Sequence, residues 1–258
     1  MYTVSQWLLF FYIYCLVGWL WESCYVSVKK RKWVNRGFMH GPLLPIYGSG
    51  AITVLVVTLP VKENLYLVFF TGMLAATILE YVTGDVMERL FHVRYWDYSN
   101  QKFQLHGYIC LSSSLAWGIF SVLMVRFGHP PVEWLVFQIP DNVRQILVLL
   151  ITVSAAIDFT QSFNEAMDLK SLLAKLSENE QLKRLQMRID AAAAFRGGDI
   201  QNFRLFKKKF QIHGISDREY LRSARILHRN PGAFSEKYKD TLQTVRSITE
   251  RIKKAGKK

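Results

Sequence analysis

Gly37-Phe-Met-His40-Gly41-Pro42-Leu-Leu-Pro45-Ile-Tyr47-Gly48-Ser-Gly50 runs straight into an apolar stretch. Four glycines and two prolines are wrong for a plain membrane helix. Proline removes a backbone donor and clashes with the preceding turn, and glycine loosens the backbone. Lipid cannot hydrate the freed backbone groups, so irregular chain at membrane depth must be buried in protein or line a polar cavity. Membrane proteins place ligand and ion sites at such breaks. The stretch predicts an integral membrane protein with an internal site.

Five apolar runs approach the ~20 residues a helix needs to cross the hydrocarbon core. They lie near 6–28, 43–59, 65–86, 107–127 and 143–163. The expected fold is all-α, with five transmembrane helices. No basic region precedes the first run and no small-residue cleavage site follows it, so that run is expected to stay as a span. The segment 132–139, after Pro130–Pro131, is apolar but too short to cross and reads as an interfacial helix. Lys29-Lys30-Arg31-Lys32 with Arg36 is the densest positive cluster among the spans, and positive loops stay in the cytoplasm. Counting onward gives an N-out/C-in multi-pass membrane protein.

Charge divides the chain. Residues 1–164 carry 11 Lys+Arg against 9 Asp+Glu, whereas residues 165–258 carry 22 against 11. A transmembrane domain over 1–164 is thus expected to precede a basic, helical cytoplasmic domain over 165–258. Leu169, Leu172, Leu173 and Leu176, then Leu182, Leu185 and Ile189, recur at helical steps with a phase slip between the two groups. Further helices are expected at 200–212, 217–229 and 235–254, the last two split by Asn230-Pro231-Gly232. Phe203, Phe206 and Phe210 share a face beside Lys207, Lys208 and Lys209. That face suits either anionic lipid or the core of a small bundle. No nucleic-acid motif accompanies the charge, which argues against that partner. Cys15, Cys24 and Cys110 are scattered and form neither a disulfide framework nor a metal spacing.

Ionisable side chains at membrane depth are costly and default to functional suspects. Glu22 falls toward the inner end of the first run, within reach of Lys29 or Lys30. Thr77, Glu80, Tyr81, Gly84 and Glu88 share one helical face, with Asp85 one residue off it and Arg89 a partner for Glu88. Asp158 leads a polar run that also fits the point where the helix leaves lipid. Arg94, Trp96, Asp97 and His106 lie in an aromatic-rich stretch suited to a headgroup or ligand, although Asp97 with Ser99 and Asn100 also fits a capped turn. His40 and His106 sit ahead of spans on the cytoplasmic side. Their spacing with Glu80 or Glu88 does not dictate a metal, so neither metal nor cofactor is expected. The candidate ligand-binding set is Glu22, His40, Gly41, Pro42, Tyr47, Glu80, Tyr81, Glu88, Arg94, Trp96, Asp97 and His106. No catalytic nucleophile carries a signature.

Four ordered motifs go further: Gly37-Phe-x-x-Gly-Pro-x-x-Pro-Ile-Tyr-Gly-x-Gly50, Glu80-Tyr-x-Thr-Gly-x-x-Met-Glu88, Arg94-x-Trp-Asp-Tyr-Ser99, and Gly107-x-Ile-Cys-Leu111 with Trp117-Gly118. Together they resemble the bacterial membrane proteins grouped as "putative ABC-transporter type IV", over about residues 5–165. Members often carry a basic residue after the glycine where Tyr108 stands here, a departure that bears on ligand chemistry. The resemblance implies a permease-like role. The chain has no Gly-x-x-x-x-Gly-Lys-Ser/Thr phosphate loop, so by that motif it is not itself the ATPase. A homodimer or a separate ATPase subunit is expected. Two alternatives stand beside the permease: an integral membrane enzyme acting on a lipid-linked substrate, and a sensor or scaffold that docks a partner through its basic tail.

Overall fold

The computed structural model describes residues 2–177 and 217–255 and is mostly helical. Helix α1 (Val4–Lys30) begins at a capping box: the Thr3 hydroxyl accepts from the Gln6 amide, and the Gln6 side chain accepts from the Thr3 amide. It ends at Arg31 in the left-handed region, with Lys29 and Lys30 in the last turn, where cations suit the helix dipole. Helix α2 (Pro45–Thr58) starts on a proline whose missing N–H would have had no helical partner, and a 3-10 turn over Leu59–Val61 follows. Helix α3 spans Leu65–Phe91. A two-stranded hairpin, β1 (Gln104–Leu105) with β2 (Ile109–Cys110), leads into α4 (Leu111–Leu123). A π-helical turn over Met124–Gly128 joins α4 to α5 (His129–Gln138), and α6 covers Asp141–Ser177. Helices α7 (Asp217–Arg229) and α8 (Lys239–Ala255) complete the described chain.

Four helical stretches are long and apolar enough to cross a membrane: Val4–Lys30, Leu65–Phe91, Leu111–Gln138 and Asp141–Ser177. The remaining expected span, 43–59, corresponds to the apolar but shorter helix Pro45–Val61. One sequence expectation is corrected. The segment 132–139 is no separate interfacial helix, because the helix runs on from Leu111 to Gln138. Pro130–Pro131 stand in the first turn of α5, directly after the widened turn at Met124–Gly128. The expected span 143–163 forms the apolar part of α6, which continues unbroken to Ser177.

The chain forms two compact units, Met1–Val86 with Trp96–Thr160, and Met87–Tyr95 with Gln161–Lys258. In the first, α3 shows why its residues face as they do. Val68, Gly72, Ala76, Glu80 and Gly84, at four-residue steps, are buried, while Leu67, Phe70, Leu74, Ile78 and Val82 are exposed as a lipid-facing stripe. A side chain at Gly72 would collide with Ser121, and one at Gly84 would sit 3.0 Å from the Tyr108 ring. Small residues thus let the α4 region approach closely.

In the second unit Leu169, Leu172, Leu173 and Leu176 of α6 are buried, as are Tyr220, Ile226, Leu227, Leu242 and Val245. The leucine periodicity is therefore a core stripe. Asn230-Pro231-Gly232 does separate the last two helices, and α8 starts four residues later than expected, at Lys239. The continuation of the leucine stripe (Leu182, Leu185, Ile189), the expected helix 200–212, and Phe203, Phe206, Phe210, Lys207, Lys208 and Lys209 lie outside the described residues.

Candidate functional site

The decisive stretch resolves into a loop over residues 31–44 followed by the start of α2. Its backbone polar groups need partners within the protein, and several are found. The Val34 and Arg36 amides donate to the Ser27 and Ser23 hydroxyls at 2.9 and 3.1 Å. The Leu44 amide donates to the Cys15 carbonyl at 3.1 Å. Asn35 accepts from the Trp19 indole at 2.6 Å and donates to the His40 carbonyl at 2.6 Å. Gly37 holds φ +138°, which side-chain-bearing residues rarely adopt. Asp158, from α6, accepts from the His40 and Gly41 amides at 3.0 and 2.7 Å and lies 2.8 Å from the His40 ring. His40 and Gly41 are thus gripped by a carboxylate that the sequence left between two roles.

Beyond the loop, Tyr47 stands at the centre of a polar line. A side chain at Gly18 would collide with its ring, so that glycine makes its berth. The Tyr47 hydroxyl donates to Glu22 at 2.8 Å, and Arg36 approaches the other Glu22 oxygen at 3.7 Å. Glu22 therefore pairs with the loop arginine, in place of the expected Lys29 or Lys30. Burial pulls the Arg36 guanidinium below its ordinary range, and Glu22 opposes that shift.

The Tyr47 ring lies 6.5 Å from Trp117, between centroids, and Trp117 leads to Glu80. Glu80 is 7% exposed. It accepts from the Tyr98 hydroxyl (3.1 Å), the Trp117 indole (3.1 Å) and the Ser113 hydroxyl (3.5 Å). Burial and the Glu80 carboxylate raise Tyr98, which keeps its phenol a donor. Among the described residues no arginine, lysine or histidine forms an ion pair with Glu80. Thr77, one turn earlier, has a buried hydroxyl with no partner.

The other sequence candidates disperse. Tyr81 meets His106 at 3.1 Å in an exposed pair. Trp96 donates to the Tyr108 carbonyl at 2.9 Å, and Asp97 caps its own turn by accepting from the Ser99 amide at 3.0 Å. Pro42 is exposed. Glu88 and Arg94 belong to the second unit, where Arg94 spans Glu88 (2.6 Å) and Glu236 (2.9 Å), so Glu88 pairs with Arg94. His40 and His106 are engaged by different partners and do not converge.

Glu22, Tyr47 and Glu80 are what the structure joins, through Arg36, Tyr98, Ser113 and Trp117. None of these four stands in the candidate ligand-binding set. Three carry a signal in the sequence: Arg36 in the positive cluster, Tyr98 in the aromatic-rich Arg94-x-Trp-Asp-Tyr-Ser99 stretch, and Trp117 in a Trp-Gly pair within an apolar run.

A family model described as putative ABC-transporter type IV matches residues 9–163, which include all of Glu22, Arg36, Tyr47, Glu80, Tyr98, Ser113, Trp117 and Asp158. No curated protein and no solved structure matches the chain. The match spans more than half of the 258 residues and agrees with the apolar helices, so this membrane protein belongs to the putative ABC-transporter type IV family.

Proposed function

We propose that this chain is the permease-like part of a membrane transport system and holds its solute at Glu80, with Glu22 and Tyr47 beside it. Glu80 carries this reading. A carboxylate at the centre of a membrane helix costs ~2.5–3.5 kcal/mol by insertion scales. Here it is held by three neutral donors and, among the described residues, by no cationic side chain. Such a charge destabilises the fold unless something that enters the site uses it.

In this reading the short apolar helix Pro45–Val61 is a fifth span and the protein lies N-out/C-in in a bacterial inner membrane. The Glu80 site then opens toward the cytoplasm as a polar pocket. Transport is driven by a separate ATPase subunit, or two copies of the chain form the pathway. The positive loop at 29–36 supports the orientation, and the family description supports the transport role.

The test is a comparison of cells lacking the protein with cells complemented by the wild type or by Glu80→Gln. Metabolite profiling identifies solutes whose intracellular level changes on deletion. Wild type is expected to restore them and Glu80→Gln to fail at equal protein abundance. Full restoration by Glu80→Gln overturns the assignment.

A further inference from the structure

Exposed apolar side chains in the first unit continue beyond the helices. Phe103 is 81% exposed and Leu105 50%, on either side of Gln104 in the hairpin of β1 with β2. Ser99, Asn100, Gln101 and Lys102, just before them, are polar and exposed as well. Phe103 also stands at φ 52°, in the left-handed region that a bulky side chain rarely adopts. A water-facing turn favours glycine or asparagine there. Neither burial in the fold nor backbone preference accounts for a phenylalanine at this position.

The backbone of the hairpin finds partners close by. Gln104 pairs with Cys110 and Leu105 with Ile109. The Tyr108 amide donates to the Leu105 carbonyl at 3.1 Å, and the Gly107 amide to the Gln104 side-chain oxygen at 2.6 Å. The Tyr98 amide donates to the Gly107 carbonyl at 2.9 Å, and the Leu111 amide to the Phe103 carbonyl at 3.1 Å. Non-helical chain approaches lipid only where its polar groups are paired within the protein. These bonds reduce the backbone polarity that the hairpin presents.

Contacts with α3 fix its depth. His106 Nδ1 lies 3.1 Å from the Tyr81 hydroxyl, and the Tyr108 ring lies 5.5 Å from that of Tyr81 and packs over Gly84. Exposed Ile78 and Val82 bracket Tyr81 on the lipid-facing stripe. Val86, also exposed, lies five residues beyond Tyr81, or ~7 Å at a rise of ~1.5 Å per residue. The apolar surface of α3 thus extends past the level at which the hairpin docks. Exposed Leu111 and Leu115 begin the apolar face of α4, and Leu111 is the residue whose amide holds Phe103. Phe103 and Leu105 are therefore level with the exposed apolar surface of both helices, and Ser99–Lys102 give them a polar rim.

We propose that this hairpin is a re-entrant lipid anchor: Phe103 and Leu105 enter the boundary between headgroups and acyl chains in the leaflet at this end of α3, and phospholipid is the partner of that face. Lys102 lays its stem alongside and keeps its ammonium among the headgroups. Apolar area leaving water then offsets the cost of the left-handed Phe103. Tyr98 precedes the anchor and Ser113 follows it, and both donate to Glu80. The bilayer contact therefore helps to hold two of the Glu80 donors in place, whatever that site carries.

The test is spin-label accessibility of the full-length protein in nanodiscs of phosphatidylglycerol and phosphatidylcholine. Exposed Cys24 is changed to serine, while Cys15 and Cys110 are buried, so a nitroxide can be directed to Phe103→Cys or Leu105→Cys. Ile78→Cys, on the stripe of α3, serves as the lipid reference, and Gln101→Cys, on the polar rim, as the water reference. Labels at 103 and 105 are expected to collide severalfold more with dissolved oxygen than with a water-soluble nickel chelate, as at 78, and the label at 101 to show the reverse. Leu105→Cys decides the outcome, because it keeps the Phe103 ring. Collisions at 105 dominated by nickel overturn the proposal, since the turn then faces water. Low rates with both reagents at 105 overturn it as well, since protein then covers the face.

Discussion

Glu165 and Glu80 are both buried carboxylates, 3% and 7% exposed, yet they are held in opposite ways. In the second unit Glu165 meets two guanidinium groups, Arg229 at 2.8 Å and Arg225 at 3.1 Å. Its neighbours follow the same rule: Asp168 pairs with Arg222 at 3.0 Å, and Glu88 with Arg94 at 2.6 Å. In the first unit Glu80 receives, among the described residues, a phenol, an indole and a hydroxyl. A paired charge has its compensation inside the protein, so removing one member harms the fold. An unpaired one draws only partial compensation from neutral donors, so its neutralisation harms function first.

The largest effect is therefore expected at Glu165. Glu165→Ala leaves Arg229, 6% exposed, without its carboxylate, and breaking a buried pair in this way costs about 3–5 kcal/mol. Pulse proteolysis of the full chain should show the second unit opening in that variant. Glu80→Gln in the same assay should stay close to the wild type, because an amide oxygen still accepts from the Trp117 indole. If Glu80→Gln opens the protein as far as Glu165→Ala does, the contrast between the units disappears.

Asp158 stands between the two cases, since it compensates its charge largely with the His40 and Gly41 amides. Asp158→Ala orphans both, at up to about 1–3 kcal/mol for each of these part-buried donors. Hydrogen exchange at these amides should accelerate roughly tenfold to a hundredfold, with the second unit unchanged. Unchanged exchange would mean that the loop over 31–44 holds itself.

Much of this was legible in the sequence and some was not, for physical reasons that particular residues make plain. Apolar length found the helices, and the four-residue rhythm put Glu80 on an inward face. The same rhythm grouped Glu80 with Tyr81 and Glu88, yet these meet His106 and Arg94 instead. Periodicity gives a direction around a helix axis, and 3.6 residues per turn spreads a five-residue set over a broad arc. Partners come from elsewhere in the chain: Trp117 is 37 residues from Glu80, and His129 is 115 from Tyr14. Pro130–Pro131 reads as a break by residue preference alone, yet the pair stands in the first turn of α5, directly after the widened turn.

The smallest effect concerns a titrating group in the paired unit. His92 follows α3 in the left-handed conformation (φ 55°), with its carbonyl receiving the Ser235 hydroxyl and its ring 6.0 Å from that of Tyr238. Burial, then Lys170 and Lys237, lower its pKa, against an opposing pull from Glu88. The fold therefore favours the neutral imidazole, whereas the unfolded chain titrates near the ordinary value of ~6.5. The unfolded state then binds more protons between those two values, so stability rises with pH across that window. The contribution is complete above ~6.5 and is lost as pH falls through the lower, folded value. Ring-proton NMR should place the His92 midpoint below 6.5, and Lys237→Gln should raise it by relieving one of the two repulsions. Carboxylates weaken the fold in acid as well, so the diagnostic quantity is a difference: His92→Gln should lose less stability between pH 7.5 and 5.5 than the wild type. A midpoint at or above 6.5 would show that the Glu88 carboxylate outweighs the lysines, and the charge balance inferred for the paired unit would then be wrong at its own edge.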